Sequence, residues 1–128
     1  VSKSITQLAE EMAAVNKANG WWDRYDATET DPDGRVDHMV AKLGLITTEV
    51  AEAIEEVRDY GVNAVESFAN SVAGVGHKPV GLTSEIADVI IRAIDFCSMV
   101  GITDLAEVIE AKVAYNATRG VLHGGKHV

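Results

Sequence analysis

Apolar residues recur at helical spacing along most of this chain. Ile5, Leu8, Met12 and Val15 share one face of a first helix. Ser4 with Gln7 three positions on has the form of a capping box, and Gly20 marks the helix end. A long second helix is expected from about residue 35 to residue 60, with Val36, Met39, Val40, Leu43, Ile46, Val50, Ile54 and Val57 on one side and Asp33 as its cap. The segment before it, 21–34, holds two tryptophans and a Thr/Asp/Pro/Gly cluster and reads as a loop. A third long helix is capped by Thr83 or Ser84 and stops near Gly101; a last one starts at Thr103 or Asp104 and runs toward Arg119, closed by Gly120. Residues 64–72 read as a short extra helix, and 121–128 as a glycine-rich tail that is either mobile or ordered over a ligand. With two prolines and no long alternating β-branched segment, the pattern predicts an all-α, four- to five-helix bundle forming a single domain over 1–128.

Polar positions on two of these helices repeat. Glu49, Glu52, Glu56 and Asp59 stand at the same relative spacing as Glu85, Asp88, Arg92 and Asp95. Positions 0, 3, 7 and 10 of a helix fall within roughly 80° of arc, so each set forms a narrow stripe beside an apolar face. Around the second stripe Ile86, Val89, Ile90, Ile91, Ile94 and Phe96 cover most of the circumference, which predicts a core helix carrying charges inward. Buried carboxylates need a cation, a charged partner or water. The plainer explanation is a stripe facing solvent, with Arg92 pairing to Asp88 or Asp95; the matching register of two stripes on two helices argues for their meeting instead.

Charge narrows the partners. Twenty acidic against eleven basic residues give a net charge of -9, which disfavours a binder of nucleic-acid polymers or anionic membranes and suits divalent cations. The longest apolar run, 89–102, is broken by Arg92 and Asp95, so no membrane span is expected. One cysteine, Cys97, excludes an internal disulfide and fits a reducing, cytoplasmic setting.

Glu49, Glu52, Glu85 and Asp88 would make an all-oxygen cage, without His or Cys at ligand spacing. Such a set favours Mg²⁺, with Mn²⁺ as a substitute, over zinc or a di-iron centre. On the last helix Lys112, Asn116 and Arg119 lie within roughly 60° of arc and offer donors for phosphate oxygens, although a basic C-terminal turn also simply complements the helix dipole. Lys126 and His123 follow on the tail. Trp21 or Trp22 offers a face on which a nucleobase can stack, with core packing the alternative for one of them.

Taken together, Glu49-Val-Ala-Glu52, Glu85-Ile-Ala-Asp88, Lys112-Val-Ala-Tyr115-Asn116-Ala-Thr-Arg119 and His123-Gly-Gly-Lys126 resemble the MazG-like nucleotide pyrophosphohydrolases of the all-α NTP pyrophosphatase superfamily. The resemblance covers residues from about 35 to the end. It implies a homo-dimer or tetramer that binds Mg²⁺ through Glu49, Glu52, Glu85 and Asp88, which also form the catalytic set. It further implies hydrolysis of nucleoside triphosphates, standard or modified, to monophosphate and pyrophosphate by water attack at the α-phosphorus. Lys112, Asn116, Arg119 and Lys126 would hold phosphates and Trp22 the base, in a cytoplasmic enzyme of nucleotide-pool housekeeping. Some relatives carry an acidic residue just before the first motif where this chain has Thr48, so Glu52 or Glu56 would act as general base. The alternatives are a phosphoribosyl-ATP pyrophosphatase, a dUTPase-like enzyme, or a non-catalytic helical oligomer whose carboxylates form structural salt bridges with Arg92, Lys112 and Arg119.

Overall fold

The computed structural model describes residues 2–65 and 78–120, and these are all-helical: five α-helices, one 3-10 turn and no strand occur among them. Helix α1 spans Ile5–Ala18. Its capping box forms as expected, with the Gln7 amide donating to Ser4 Oγ at 3.2 Å and the Ser4 amide donating to Gln7 Oε1 at 2.8 Å. The helix ends in a Schellman turn. Gly20, at φ 75°, lets the Trp21 amide reach the Asn16 carbonyl at 3.0 Å while its own amide reaches Lys17 at 3.1 Å.

The expected loop contains a one-turn helix, α2 (Asp23–Asp26), too short for any periodic signal. Tyr25 is buried there and pins α2 to the next helix: the Arg35 guanidinium lies 4.1 Å over its ring and Arg35 Nη2 donates to its carbonyl at 3.1 Å. Helix α3 spans Pro32–Tyr60, about 43 Å at 1.5 Å per residue. It begins three residues before the expected start, because Pro32 occupies the first turn, where no amide donor is needed, and Asp31 rather than Asp33 accepts from the Gly34 amide at 3.1 Å.

A 3-10 turn, Gly61–Ala64, follows; most of the expected helix over 64–72 lies outside the described residues. Helix α4, Leu82–Met99, starts from Gly81 with no side-chain cap; Ser84 instead donates to the Pro79 carbonyl at 3.1 Å. It stops in a second Schellman turn at Gly101, φ 88°. Helix α5 spans Leu105–Ala117, and the tail 121–128 is outside the described residues.

Helices α3 and α4 form the main packed pair, α1 lies against α4, and α5 touches α1. The pair is antiparallel: Glu49 meets Arg92, whereas Glu56 and Tyr60 border one pocket with Val80 and Gly81.

The interior is thin. Among the described residues the buried apolar side chains are Tyr25, Ala53, Ala64, Ile94 and Met99. The expectation that α4 is enclosed is not met, since Ile86, Ile90 and Ile91 are 43–52% exposed. On α3, Val36, Val40, Leu43, Val50, Ile54 and Val57 are 41–63% exposed and fall within roughly 100° of arc. The reason is geometric: among the described residues the other helices lie against one side of α3 and α4 only.

Candidate functional site

The antiparallel pairing brings the two acidic motifs together. Glu49 from α3 and Glu85 and Asp88 from α4 each offer a carboxylate oxygen, and these lie within 4.8 Å of one another. Glu49 is buried and the other two are half-buried. Glu52, expected in the same cage, is exposed at the rim, close enough to raise the pKa of Glu85. The site is therefore a triad with a fourth carboxylate at its edge.

Glu85 carries the electrostatic stress. Its Oε2 is buried without a hydrogen-bond partner. Burial, then a hydrogen bond to Glu52 that only a protonated carboxyl can make, then repulsion from Glu52, Asp88 and Glu49 push its pKa up to about 7 from an ordinary 4.5. A cation between these oxygens would remove each of those penalties at once. The residues fit such an ion: opposite ligands of an octahedral Mg²⁺ stand about 4.2 Å apart, twice a Mg–O distance near 2.1 Å, and all the donors are oxygens. Glu49 is the exception in the triad, because it already has a cation. Arg92 Nε donates to Glu49 Oε1 at 2.5 Å.

Two members of the triad, Glu49 and Asp88, line a cleft of about 390 Å³, large enough for part of a small-molecule ligand. Glu49, Glu52, Asp88 and Asp95 supply its acidic wall; Lys42, Lys78 and Arg92 face the same space, and Trp21, 56% exposed, stands beside them. One end is fixed by a polar knot. Asn16 Nδ2 and Trp22 Nε1 both donate to Asp95 Oδ1, at 2.6 and 2.8 Å. Asn16 is buried, and since a carboxylate only accepts, its amide must turn the nitrogen inward.

Other expected residues lie elsewhere within the chain. Lys112 and Asn116 are exposed on α5 and line no part of this cleft; Arg119 follows that helix, half-buried, its guanidinium 5.5 Å over the Tyr115 ring. Lys126 falls outside the described residues. Trp22 commits its indole N–H to Asp95 and walls a separate apolar cavity of about 340 Å³ between α1, α4 and α5. Trp21 is the indole that reaches the acidic cleft.

Cys97 borders the apolar cavity, with burial pushing its thiol up, away from nucleophilic use. His38 sits near Tyr25, ring centroids 6.2 Å apart, with Nε2 buried and unpartnered; burial, then Lys42 and Arg24, hold its pKa low.

Sequence reasoning did not bring Asn16 or Lys78 to the site. Asn16 was detectable in principle, as a polar residue on the Ile5, Met12 face of α1; Lys78 carries no comparable signal. No family model, curated protein or solved structure matches the chain.

Proposed function

We propose that this protein is a Mg²⁺-dependent nucleoside triphosphate pyrophosphohydrolase of the MazG-like kind. The observation that carries the reading is the meeting of Glu49, Glu85 and Asp88, with an orphaned carboxylate oxygen on Glu85, beside a cleft holding three cationic side chains and an indole. Acid triads alone are common on proteins. An acid triad with two members, Glu49 and Asp88, facing the same space as two lysines and an arginine matches a ligand that is itself a polyanion bound to a divalent cation.

Glu49, Glu85 and Asp88 would hold the ion, which when bound supplies Lewis-acid polarisation of a phosphoryl oxygen and an acidified water. Glu52, outside the triad and open to the cleft, accepts the proton of the attacking water. Lys42 and Lys78 neutralise the phosphate chain, and Trp21 offers its exposed face to the base. Water adds at the α-phosphorus and the bond to the bridging oxygen breaks, so that pyrophosphate leaves and the nucleoside monophosphate remains. The protein works in the cytoplasm; among the described residues no helix is long and apolar enough to cross a membrane.

It does so as a homo-oligomer. The open stripe from Val36 to Val57 is about 32 Å long, and covering a row of half-exposed Val, Leu and Ile side chains gains on the order of 1 kcal/mol for each.

A second reading has one observation of its own. The Glu49–Arg92 ion pair is what a non-catalytic helical oligomer with structural salt bridges would contain. Glu85 weighs against it, having no cation among the described side chains to satisfy its buried oxygen.

The deciding experiment incubates the protein with a panel of (d)NTPs, with and without Mg²⁺, and analyses products. Release of pyrophosphate and monophosphate only with Mg²⁺ supports the enzyme; no turnover across the panel supports the structural oligomer.

A further inference from the structure

Arg92 is placed where two uses of one carboxylate conflict. On α4 it lies one turn after Asp88 and one turn before Asp95, so each is within reach along its own helix. Its Nε hydrogen bond instead crosses to α3 and ends on Glu49 Oε1 at 2.5 Å. The polar knot helps explain that choice. Asp95 Oδ1 already accepts from Asn16 and Trp22, which draws that carboxylate toward α1 and away from Arg92.

The partner so chosen is a member of the triad. Its side chain is 8% exposed, which makes an unbalanced charge there costly, whereas the side chain of Arg92 is 40% exposed and opens onto the cleft. A guanidinium brings one positive charge; a divalent ion brings two and bonds directly to oxygen. With Arg92 lying partly in solvent and Lys42 and Lys78 bordering the same space, a displaced guanidinium has somewhere to go.

Building on the proposed Mg²⁺-dependent reading of this site, we infer that Arg92 is an exchangeable counter-ion: it neutralises Glu49 in the metal-free protein and, once a divalent cation takes that carboxylate, turns into the cleft to bind substrate phosphates. Cation binding and phosphate binding are thereby linked through one side chain. The metal-free protein keeps its buried glutamate compensated, and it presents its third cation to a polyphosphate only after the ion has arrived.

The opposite arrangement is a fixed Arg92 that orients Glu49 from behind and strengthens its hold on the ion, and the two differ in sign. The first test follows the Arg92 Nε–H signal by ¹⁵N NMR in the wild-type protein during titration with Mg²⁺ alone, the resonance being assigned with Arg92→Lys. Expected is a protected signal without Mg²⁺ that loses protection at the midpoint set by the backbone shifts of Glu49 and Asp88, and that shifts again on addition of inorganic pyrophosphate. A signal still protected at saturating Mg²⁺ overturns the exchange and leaves the metal reading intact; absence of any Mg²⁺-dependent shift overturns both. Release without a response to pyrophosphate overturns the phosphate role.

The second test measures Mn²⁺ affinity by electron paramagnetic resonance. Arg92→Met should tighten Mn²⁺ binding about tenfold by removing the competitor, a charged hydrogen bond being worth about that factor. Arg92→Lys, which keeps the charge and thus the fold should Arg92→Met not express, should tighten it less. Weaker binding in either variant overturns the proposal. In turnover, Arg92→Lys should raise KM for the NTP at saturating Mg²⁺ more than it lowers kcat.

Discussion

Glu49, Glu52, Glu56 and Asp59 repeat the spacing of Glu85, Asp88, Arg92 and Asp95, yet the two stripes occupy different environments. On α3 Glu52 and Asp59 are exposed and Glu56 is half-buried, leaving Glu49 as the single buried member; on α4 all four are half-buried. The difference comes from what lies behind each helix. Helix α4 has α3 on one side and α1 on another, so its stripe runs through a seam, whereas on α3 Glu52 and Asp59 face outward. Spacing sets which carboxylates can meet, and the neighbouring elements decide which of them acquire chemistry.

The sharpest way to break that comparison is to remove one acid from each stripe. Asp88→Ala should lower Mg²⁺-dependent turnover on the order of a thousandfold or more, the loss of several kcal/mol of transition-state stabilisation, with circular dichroism unchanged. Asp59→Ala, at the same spacing but outside the triad, should leave turnover within about twofold. Equal losses in steady-state assays of the two variants would erase the distinction.

The comparison as drawn concerns one chain, and a second copy over the α3 stripe would narrow it. Ile54→Glu places a charge in that stripe at a position 51% exposed in the isolated chain. Light scattering should then report a mass reduced to the single-chain 13.7 kDa, with helicity retained. An unchanged mass would show that the stripe is not the contact.

Titration should separate the stripes further. The folded-state pKa of Glu85 is raised to about 7 from 4.5, so the folded protein holds a proton that the unfolded chain gives up. The resulting stability is fully present below pH 4.5 and is lost as pH rises through 7. Thermal melts of the metal-free protein should therefore drop by a few degrees between pH 5 and pH 8. Glu85→Gln should flatten the drop and Mg²⁺ should reverse it in the wild type, while Glu56→Gln should leave it in place.

The smallest effect concerns the knot at the end of the α4 stripe. Trp22→Phe deletes one of two donors to Asp95 and should cost about 1 kcal/mol, or a few degrees in Tm, because Asn16 still satisfies the same oxygen. Calorimetry would detect it.

The helical class was readable because it depends on local spacing, and several helix ends were readable because a cap or a glycine signs them, as Ser4 with Gln7, Gly20 and Gly101 do. The start of α3 was misplaced since Pro32-Asp33-Gly34 has loop composition while also suiting a first helical turn. The enclosure of α4 was overestimated because periodicity reports how apolar a face is, not how many neighbours exist to cover it. At the site, the triad followed from two motifs in register. The knot did not: its partners are 79 and 73 residues apart in sequence, and nothing local to Asp95 indicates which α1 residue it will meet. The row Lys112, Asn116, Arg119 shows the converse, a clear helical stripe whose target within one chain is not the cleft.

The Schellman turn at Gly20 throws two consecutive indoles in divergent directions, Trp21 into the acidic cleft and Trp22 against Asp95 and the apolar cavity. Since the chain has only these two tryptophans, its ultraviolet emission is a sum of two separable reporters. Trp21, open to water, should respond to whatever enters the cleft, and Trp22 to the integrity of the interior. A titration and an unfolding curve can thus be recorded on the unlabelled protein, with Trp22→Phe leaving the cleft reporter to shine alone.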